Sequence, residues 1–175
     1  MYFVYLSKAD IPNENQITTA KLYLTPWRKF VTKLNIIYAS EMGTAMAVAE
    51  DVEVTAKNNG IDTELSEMDE VSLESLQDMA RVMVVISSTG DGDVPMMGEE
   101  FWAAIEKADI DLSKMKYSVC ALGDKMYFNF CGAGKKIDQR FSELGATCVV
   151  NRHECDNGVD GWDIWAEEVI RALGY

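Results

Sequence analysis

Several residue types and patterns are scarce or absent in this chain of 175 residues. It has four cysteines but no CxxC pair, so neither a zinc site nor a redox dithiol is indicated. No run of about 18 apolar residues occurs, which excludes an ordinary membrane span, and there is no internal repeat. Lys and Arg number 16 against 29 Asp and Glu, for a formal net charge of -13. Because such a chain repels phosphate backbones and anionic lipids, we expect neither nucleic acid nor membrane as a partner.

The residues that are present suffice for one folded domain. Hydrophobic residues make up 48% of the chain and charged residues 26%, a balance that argues against disorder. Residues 1–33 differ from the rest because their charged side chains are mostly basic, namely Lys8, Lys21, Arg28, Lys29 and Lys33 against Asp10 and Glu14. We therefore treat residues 1–33 as an N-terminal extension of uncertain role and residues 34–175 as the domain. A targeting segment, a partner-binding arm and an extension lying along the domain all remain open.

Short apolar runs alternate with segments of helical periodicity along the domain. The runs predict five strands, at Leu34–Tyr38, Ile61–Met68, Val82–Ile86, Tyr117–Leu122 and Thr147–Asn151. The intervening and final segments predict five helices, at residues 45–56, 71–78, 99–107, 135–144 and 162–173. Such alternation is typical of an α/β fold, a doubly wound five-stranded parallel sheet with helices on both faces. The expected strand order is 2-1-3-4-5.

In such a sheet a ligand binds beyond the carboxyl ends of the strands, where the strand order reverses. The loop after the first strand, Ala39–Ala45, contains Ser40, Gly43 and Thr44 and leads into a helix. Its amides, its hydroxyls and the helix dipole favour an anion. It has no lysine or arginine and only one glycine, which excludes a P-loop NTPase and a dinucleotide fingerprint. A mononucleotide phosphate fits, although the loop could also be a helix start capped by Ser40 or Thr44.

Two further loops meet the same edge of the predicted sheet. In Ser87–Pro95, Gly90 and Gly92 permit close approach to a flat ring, or form an ordinary strand-to-helix turn. The predicted third strand leads into Ser87 and Ser88, without the phosphoacceptor aspartate that a response-regulator receiver has at this place. The sequence therefore excludes that class of protein. In Leu122–Cys131, Tyr127 could stack on a ring, or the loop's aromatic side chains could cover its own base.

Three segments in this order and spacing resemble one known family. They are SEMGTA at residues 40–45, STGDGDVP at residues 88–95, and ALGDKMYFNFCGAGKKIDQRFSELGA at residues 121–146. Residues 34–173 resemble flavodoxins, and more closely the FMN domains of diflavin reductases such as cytochrome P450 reductase and sulfite reductase. Short MioC-like flavodoxins are also similar. The resemblance implies the flavodoxin-like fold and FMN as cofactor.

The resemblance also assigns site residues by position. It implies that the FMN phosphate is held by Ser40, Glu41, Met42, Gly43, Thr44 and Ala45, with Met42 in place of a threonine that usually bonds the phosphate. One side of the ring would be lined by Ser88, Thr89, Gly90, Asp91 and Gly92. The other side and its polar edge would be formed by Leu122, Gly123, Asp124, Tyr127, Phe130 and Cys131, with Asp156 near the sugar chain or ring edge. No catalytic residue and no metal ligand are implied.

The function that follows is the transfer of single electrons between a reductase and an acceptor protein. We expect redox protein partners with basic docking faces, because the chain is acidic, and a soft contact surface at Met96 and Met97. A monomer in the cytoplasm is expected, or an organelle if residues 1–33 are a targeting segment. Two alternatives remain open. One is an FMN-dependent NAD(P)H:quinone or flavin reductase, and the other is a non-redox interaction module on a degenerate flavodoxin fold.

Overall fold

The computed structural model describes residues 33–175. The prediction for residues 1–33 therefore falls, apart from Lys33, outside the described residues. Lys33 itself forms an exposed ion pair with Glu64, with the two charged atoms 3.2 Å apart.

Strands and helices alternate along the described chain, as the hydrophobic pattern predicts. The strands are β1 (Leu34–Ala39), β2 (Thr63–Glu67), β3 (Arg81–Ser87), β4 (Lys116–Gly123), β5 (Thr147–Cys148) and β6 (His153–Asp156). The helices are α1 (Thr44–Asn58), α2 (Leu73–Asp78), α3 (Glu99–Ile105), α4 (Gly132–Glu143) and α5 (Trp162–Ala172). Two short 3-10 turns lie at Met68–Glu70 and Met96–Gly98. None of the helices in residues 33–175 has the length and apolar character needed to cross a membrane.

All strand pairs named here are parallel, and the order is β2-β1-β3-β4-β5, which confirms the predicted doubly wound sheet. Successive side chains of β3 point to opposite faces, so that Val84 joins one apolar core and Val85 the other. The first core contains buried residues of α2, α3 and α4, and the second contains buried residues of α1 and α5. Burial on both faces explains why β3 is an uninterrupted apolar run rather than an alternating one.

The last strand differs from the prediction. A continuous strand over Thr147–Asn151 was expected, but the structure has two pieces, β5 and β6, which both pair with β4. Between them the buried Ser118 hydroxyl donates to the Val150 carbonyl at 2.9 Å and accepts the Trp165 indole N–H at 2.8 Å. The Val150 carbonyl therefore accepts a hydrogen bond from the Ser118 side chain at this point of the sheet. The second piece carries the chain up to Asp156, at the carboxyl edge of the sheet.

Candidate functional site

Two adjoining clefts lie at the carboxyl ends of β1, β3 and β4, where the strand order reverses. The first cleft has a volume of about 330 Å³ and the second about 520 Å³. They share four lining residues, which are Glu41, Met42, Ser88 and Gly123. The three loops singled out in the sequence therefore meet in one place, as the topology requires.

The loop between β1 and α1 forms one end of the first cleft. The Ser40 hydroxyl is buried and accepts the Ala45 amide at 3.2 Å, which closes the loop on itself. Gly43, rather than Ser40 or Thr44, holds the position before α1, in the left-handed conformation with φ of 86°, and the Ser40 hydroxyl bonds a first-turn amide of α1 from outside that position. Within the described residues no protein acceptor bonds the amides of Met42, Gly43 and Thr44. Free amides at a helix N-terminus are suited to an anion.

A buried hydroxyl in the first cleft also lacks a partner. The Ser87 Oγ atom, at the end of β3, has no hydrogen-bond partner in the described structure, although it is shielded from solvent. Buried polar groups are nearly always bonded, so an unpaired one in a cleft points to a polar ligand. Together with the Thr44 hydroxyl and the free amides, it gives the first cleft the donors that a phosphate needs. Among residues 33–175, no lysine or arginine lines this cleft.

Glu41 is an acidic residue in a loop otherwise suited to an anion. Its Oε2 atom accepts the Met96 amide at 3.2 Å. This contact joins the first loop to the turn that follows the second loop. The Glu41 carboxylate is thus held by a backbone N–H at the rim shared by both clefts.

The loop after β3 is a tight turn that lines the second cleft. Thr89 and Asp93 exchange backbone hydrogen bonds at 3.0 and 2.8 Å, and Gly92 donates to the Thr89 carbonyl at 3.1 Å. Gly90 and Gly92 both have positive φ, at 51° and 87°. A Cβ atom on Gly92 would lie 2.6 Å from the Asn129 carbonyl oxygen, so the second loop packs directly on the third. Only glycine allows this contact in this conformation.

The loop after β4 is braced by two aspartates. Asp124 accepts the Met126 amide with its side chain at 2.7 Å and the Tyr127 amide with its carbonyl at 3.0 Å. Asp156 accepts the Lys125 amide at 3.0 Å and lies 3.4 Å from the Lys125 ammonium. The amide hydrogen bond and this nearby charge hold the pKa of Asp156 below its usual range. Both oxygens of Asp156 are therefore engaged by Lys125.

Cys131 begins the turn into α4 with a positive φ of 54°. Its thiol is buried, lines the second cleft and donates to the Ala121 carbonyl at 3.3 Å. Burial is the main cause that raises the pKa of this thiol to about 12, so it stays protonated at neutral pH. A protonated, hydrogen-bonded thiol is a poor nucleophile. Cys131 therefore forms part of the wall of the second cleft and is not a reactive thiol.

Most of the predicted site residues line one of the two clefts. The first cleft takes Ser40, Glu41, Met42, Thr44, Ser88, Leu122 and Gly123, and the second adds Thr89, Gly90, Asp91, Gly92, Asp124, Tyr127, Phe130 and Cys131. Three predicted residues line neither: Gly43, Ala45 and Asp156. Ala45 contributes its amide to Ser40, and Asp156 braces the third loop. Four lining residues were missed by the sequence: Ser87, Asn129, Asn157 and Gly158.

The two clefts differ in chemistry in a way that fits one ligand. The first offers amides and hydroxyls for an anionic group. The second is larger and more apolar, with the half-exposed ring of Tyr127 at its side and backbone turns at its edge. A phosphate joined to a flat heterocycle, as in FMN, fits this pair of clefts.

Comparison with known proteins gives the same family. The family model for flavodoxin matches residues 36–161. The chain is 37% identical over 155 residues to a sulfite reductase [NADPH] subunit beta of Schizosaccharomyces pombe, covering 81% of this chain and 10% of that protein. It is 38% identical to a sulfite reductase [NADPH] flavoprotein alpha-component of Vibrio parahaemolyticus, covering 71% of this chain and 20% of that protein. An NADPH-dependent diflavin oxidoreductase 1 of Schizosaccharomyces pombe is 34% identical, covering 79% and 25%. The chain thus spans a quarter or less of the length of these relatives.

Solved structures of similar fold include flavodoxins. A cysteine-to-serine mutant of flavodoxin from Pseudomonas aeruginosa superposes with a TM-score of 0.71 at 26% identity, covering 82% of this chain and 99% of that one. A short-chain flavodoxin associated with a non-canonical PDU bacterial microcompartment has the same TM-score of 0.71 at 21% identity, which shows the fold alone. The family match covers most of the described domain. The chain therefore belongs to the flavodoxin family, whose cofactor is FMN.

Proposed function

We propose that this chain binds FMN in the paired clefts and passes single electrons between a reductase and an acceptor protein. The observation that carries the proposal is the pairing itself. A cleft with unpaired donors adjoins a larger and more apolar cleft, and the exposed side chains of Met42 and Tyr127 line this second cleft. A carrier needs this combination, because its cofactor must be held firmly and yet be reached by other proteins.

The first cleft would hold the phosphate. The Met42 and Thr44 amides and the Thr44 and Ser87 hydroxyls belong to residues that line it, and the unbonded Gly43 amide lies between Met42 and Thr44 in the chain. Since the described residues place no cation in the lining, the negative charge would be stabilised by these donors and by the N-terminus of α1. Ser87 would thereby gain the partner that it lacks within the described part of the protein.

The second cleft would hold the flavin ring, and bound FMN supplies the redox chemistry. Tyr127 would contact the ring, and the backbone of the turn at Gly90–Gly92 would meet its edge. Asp91 and Asp124 also line this cleft. Their negative charges disfavour the addition of further negative charge nearby, so they would lower the reduction potential of the cofactor.

Electrons would enter and leave at the rim of the second cleft. Met42, which lines both clefts, is 91% exposed, and Met126 and Phe128, the chain neighbours of the lining residue Tyr127, are 90% and 95% exposed. Exposed apolar groups beside acidic ones suit a transient protein contact. We therefore propose partners with basic docking faces, an NADPH-linked flavoprotein reductase as the donor, and a monomeric carrier. The cytoplasm is the proposed location, since the four cysteines are free thiols and suit a reducing compartment.

The test is a reductive titration of the purified chain after loading with FMN and removal of the excess. Bound flavin that takes up electrons in two resolved one-electron steps, without oxidising NADPH by itself, is the expected result. Direct oxidation of NADPH by the loaded chain would favour the reductase alternative. A chain that retains no FMN would contradict the proposal and favour the interaction module.

A further inference from the structure

Asn129 connects the third loop to the apex of the second loop, which is the segment Gly90–Gly92. Its side-chain Nδ2 atom donates to the Asp91 carbonyl at 3.0 Å and lies 3.1 Å from Asp91 Oδ2. Its own carbonyl accepts the Gly132 amide at 2.9 Å and lies against Gly92. Asn129 therefore contacts two of the three residues of the apex, with its side chain on Asp91 and its backbone on Gly92.

The apex needs an external restraint for a physical reason. Two residues with positive φ, Gly90 and Gly92, flank Asp91, and glycine has more backbone freedom to lose than any other residue. The internal hydrogen bonds of the turn join Thr89, Gly92 and Asp93. Within residues 33–175, Asn129 is the donor to the Asp91 carbonyl. A second contact, between Lys136 and Asp93 at 2.9 Å, holds the far side of the turn.

Asp91, Gly92 and Asn129 all line the second cleft. A residue that holds the apex in one conformation also determines which backbone groups of the turn face a ligand in that cleft. It likewise determines where the Asp91 carboxylate lies. We propose that Asn129 is a positioning residue that holds the Gly90–Gly92 apex in place before the flavin ring binds. The inference rests on the proposed function, since it assumes that the ring occupies the second cleft.

Asn129→Ala removes both side-chain hydrogen bonds without touching the first cleft. In the cofactor-free chain we expect the Gly92 and Asp93 amides to exchange with solvent about tenfold faster, because each lost hydrogen bond contributes roughly a factor of 2 to 10. FMN and riboflavin should both bind about tenfold more weakly, by the same factor, because the clamp acts on the ring. Affinity for inorganic phosphate should not change.

A matched control is Asn59→Ala. Asn59 is also an exposed asparagine whose side chain donates to a backbone carbonyl, that of Thr55 at 2.9 Å, but it lies at the end of α1 and lines neither cleft. This variant should leave flavin affinity and exchange at the apex as they are in the unaltered chain.

The outcomes separate the two proposals. If the unaltered chain binds no FMN, the proposed function fails. If the unaltered chain binds FMN, either of two results for Asn129→Ala overturns the positioning role. One is that the variant binds FMN and riboflavin as tightly as the unaltered chain does, and the other is that it loses affinity for FMN alone. Parallel weakening of both flavins together with faster exchange at the apex supports it.

Discussion

The Ser87 hydroxyl should lower the stability of the cofactor-free chain and raise its affinity for FMN. Its buried, unpaired hydroxyl costs stability in the free chain, since burying a polar group without a hydrogen bond is unfavourable by about 1–3 kcal/mol. We therefore expect Ser87→Ala to leave the cofactor-free chain as stable as before or more stable. The same change should weaken FMN binding by about tenfold, because one donor to the phosphate is lost. Urea unfolding without cofactor and a flavin fluorescence titration measure the two effects.

Ser118→Ala is the control for that pair of measurements. Ser118 is a buried serine on the neighbouring strand β4, but its hydroxyl is bonded to both Val150 and Trp165. Its removal leaves a carbonyl and an indole N–H unpaired, so unfolding should become easier by about 2 kcal/mol. Flavin affinity should change little. A Ser87→Ala chain that is destabilised as much as Ser118→Ala would show that Ser87 has a partner within the protein.

The hydrogen-bond partners of individual site residues could not be predicted from the sequence. The residues of the first loop were identified because a strand, a short polar loop and a helix are visible in the pattern. Ser87 and Ser88 are adjacent serines, and only the structure shows that Ser88 accepts the Ala133 amide at 3.2 Å while Ser87 has no partner among the described residues. Asn129 and Asn157 were missed because their contacts join segments far apart in sequence: the Asn129 side chain bonds Asp91, and the Asn157 amide donates to the Gly123 carbonyl at 2.7 Å.

Asp156, which belongs to a different element, β6, is one of the two aspartates that brace the third loop. The Lys125 amide stabilises the ionised carboxylate, so the folded-state pKa lies below the ordinary value of about 3.9. The stabilisation is complete above the ordinary pKa and is lost as pH falls through the lowered one. We expect the Lys125 amide resonance to move on acidification with a midpoint below pH 3.9 or so.

Asp156→Asn retains an oxygen acceptor but cannot titrate. In this variant the Lys125 resonance should stay constant through the acid range, and FMN should bind more weakly at neutral pH because the loop is held less firmly. Asp163→Asn, an exposed substitution in the first turn of α5, should leave the acid titration of Lys125 as it is. A Lys125 resonance that still titrates in Asp156→Asn would contradict the bracing role.

Elements were predictable wherever a local pattern determines them. The buried run of β3 and the periodicity of α1 are visible in the sequence, and both form within a few residues of the expected bounds. The interruption of the last strand was not predictable, because the hydrogen bonds found there involve Ser118 on the neighbouring strand and Trp165 on a helix. The pairing of His153–Asp156 with β4 is likewise a contact between distant segments, and a window of local sequence carries no sign of it.

On the scale of the whole molecule, charge and apolar exposure act together around the second cleft. Under the proposed function, the chain's net charge of -13 would attract basic proteins over distances of about a Debye length, roughly 8–10 Å at physiological salt. Attraction of that range brings partners together but does not fix one geometry. The exposed apolar side chains of Met126 and Phe128 would supply the short-range contact, and hydrogen bonds to the Lys125 and Met126 amides brace the backbone of the third loop that carries them.

The double variant Met126→Ser/Phe128→Ser separates these two contributions. Both side chains are at least 90% exposed, so the fold and FMN binding should be unaffected. Electron transfer from the reduced, FMN-loaded chain to cytochrome c, a haem protein with a lysine-rich face, should slow by about fivefold, which corresponds to about 1 kcal/mol of lost contact. Transfer to ferricyanide, which is too small to use the rim, should not change.

Ile164→Ser, a change of another exposed apolar residue outside both clefts, should leave both rates unchanged. Stopped-flow rates at rising salt complete the measurement, because the electrostatic part falls with ionic strength and the apolar part does not. Equal rates to cytochrome c in the double variant and the unaltered chain would mean that charge alone brings the partner to the flavin.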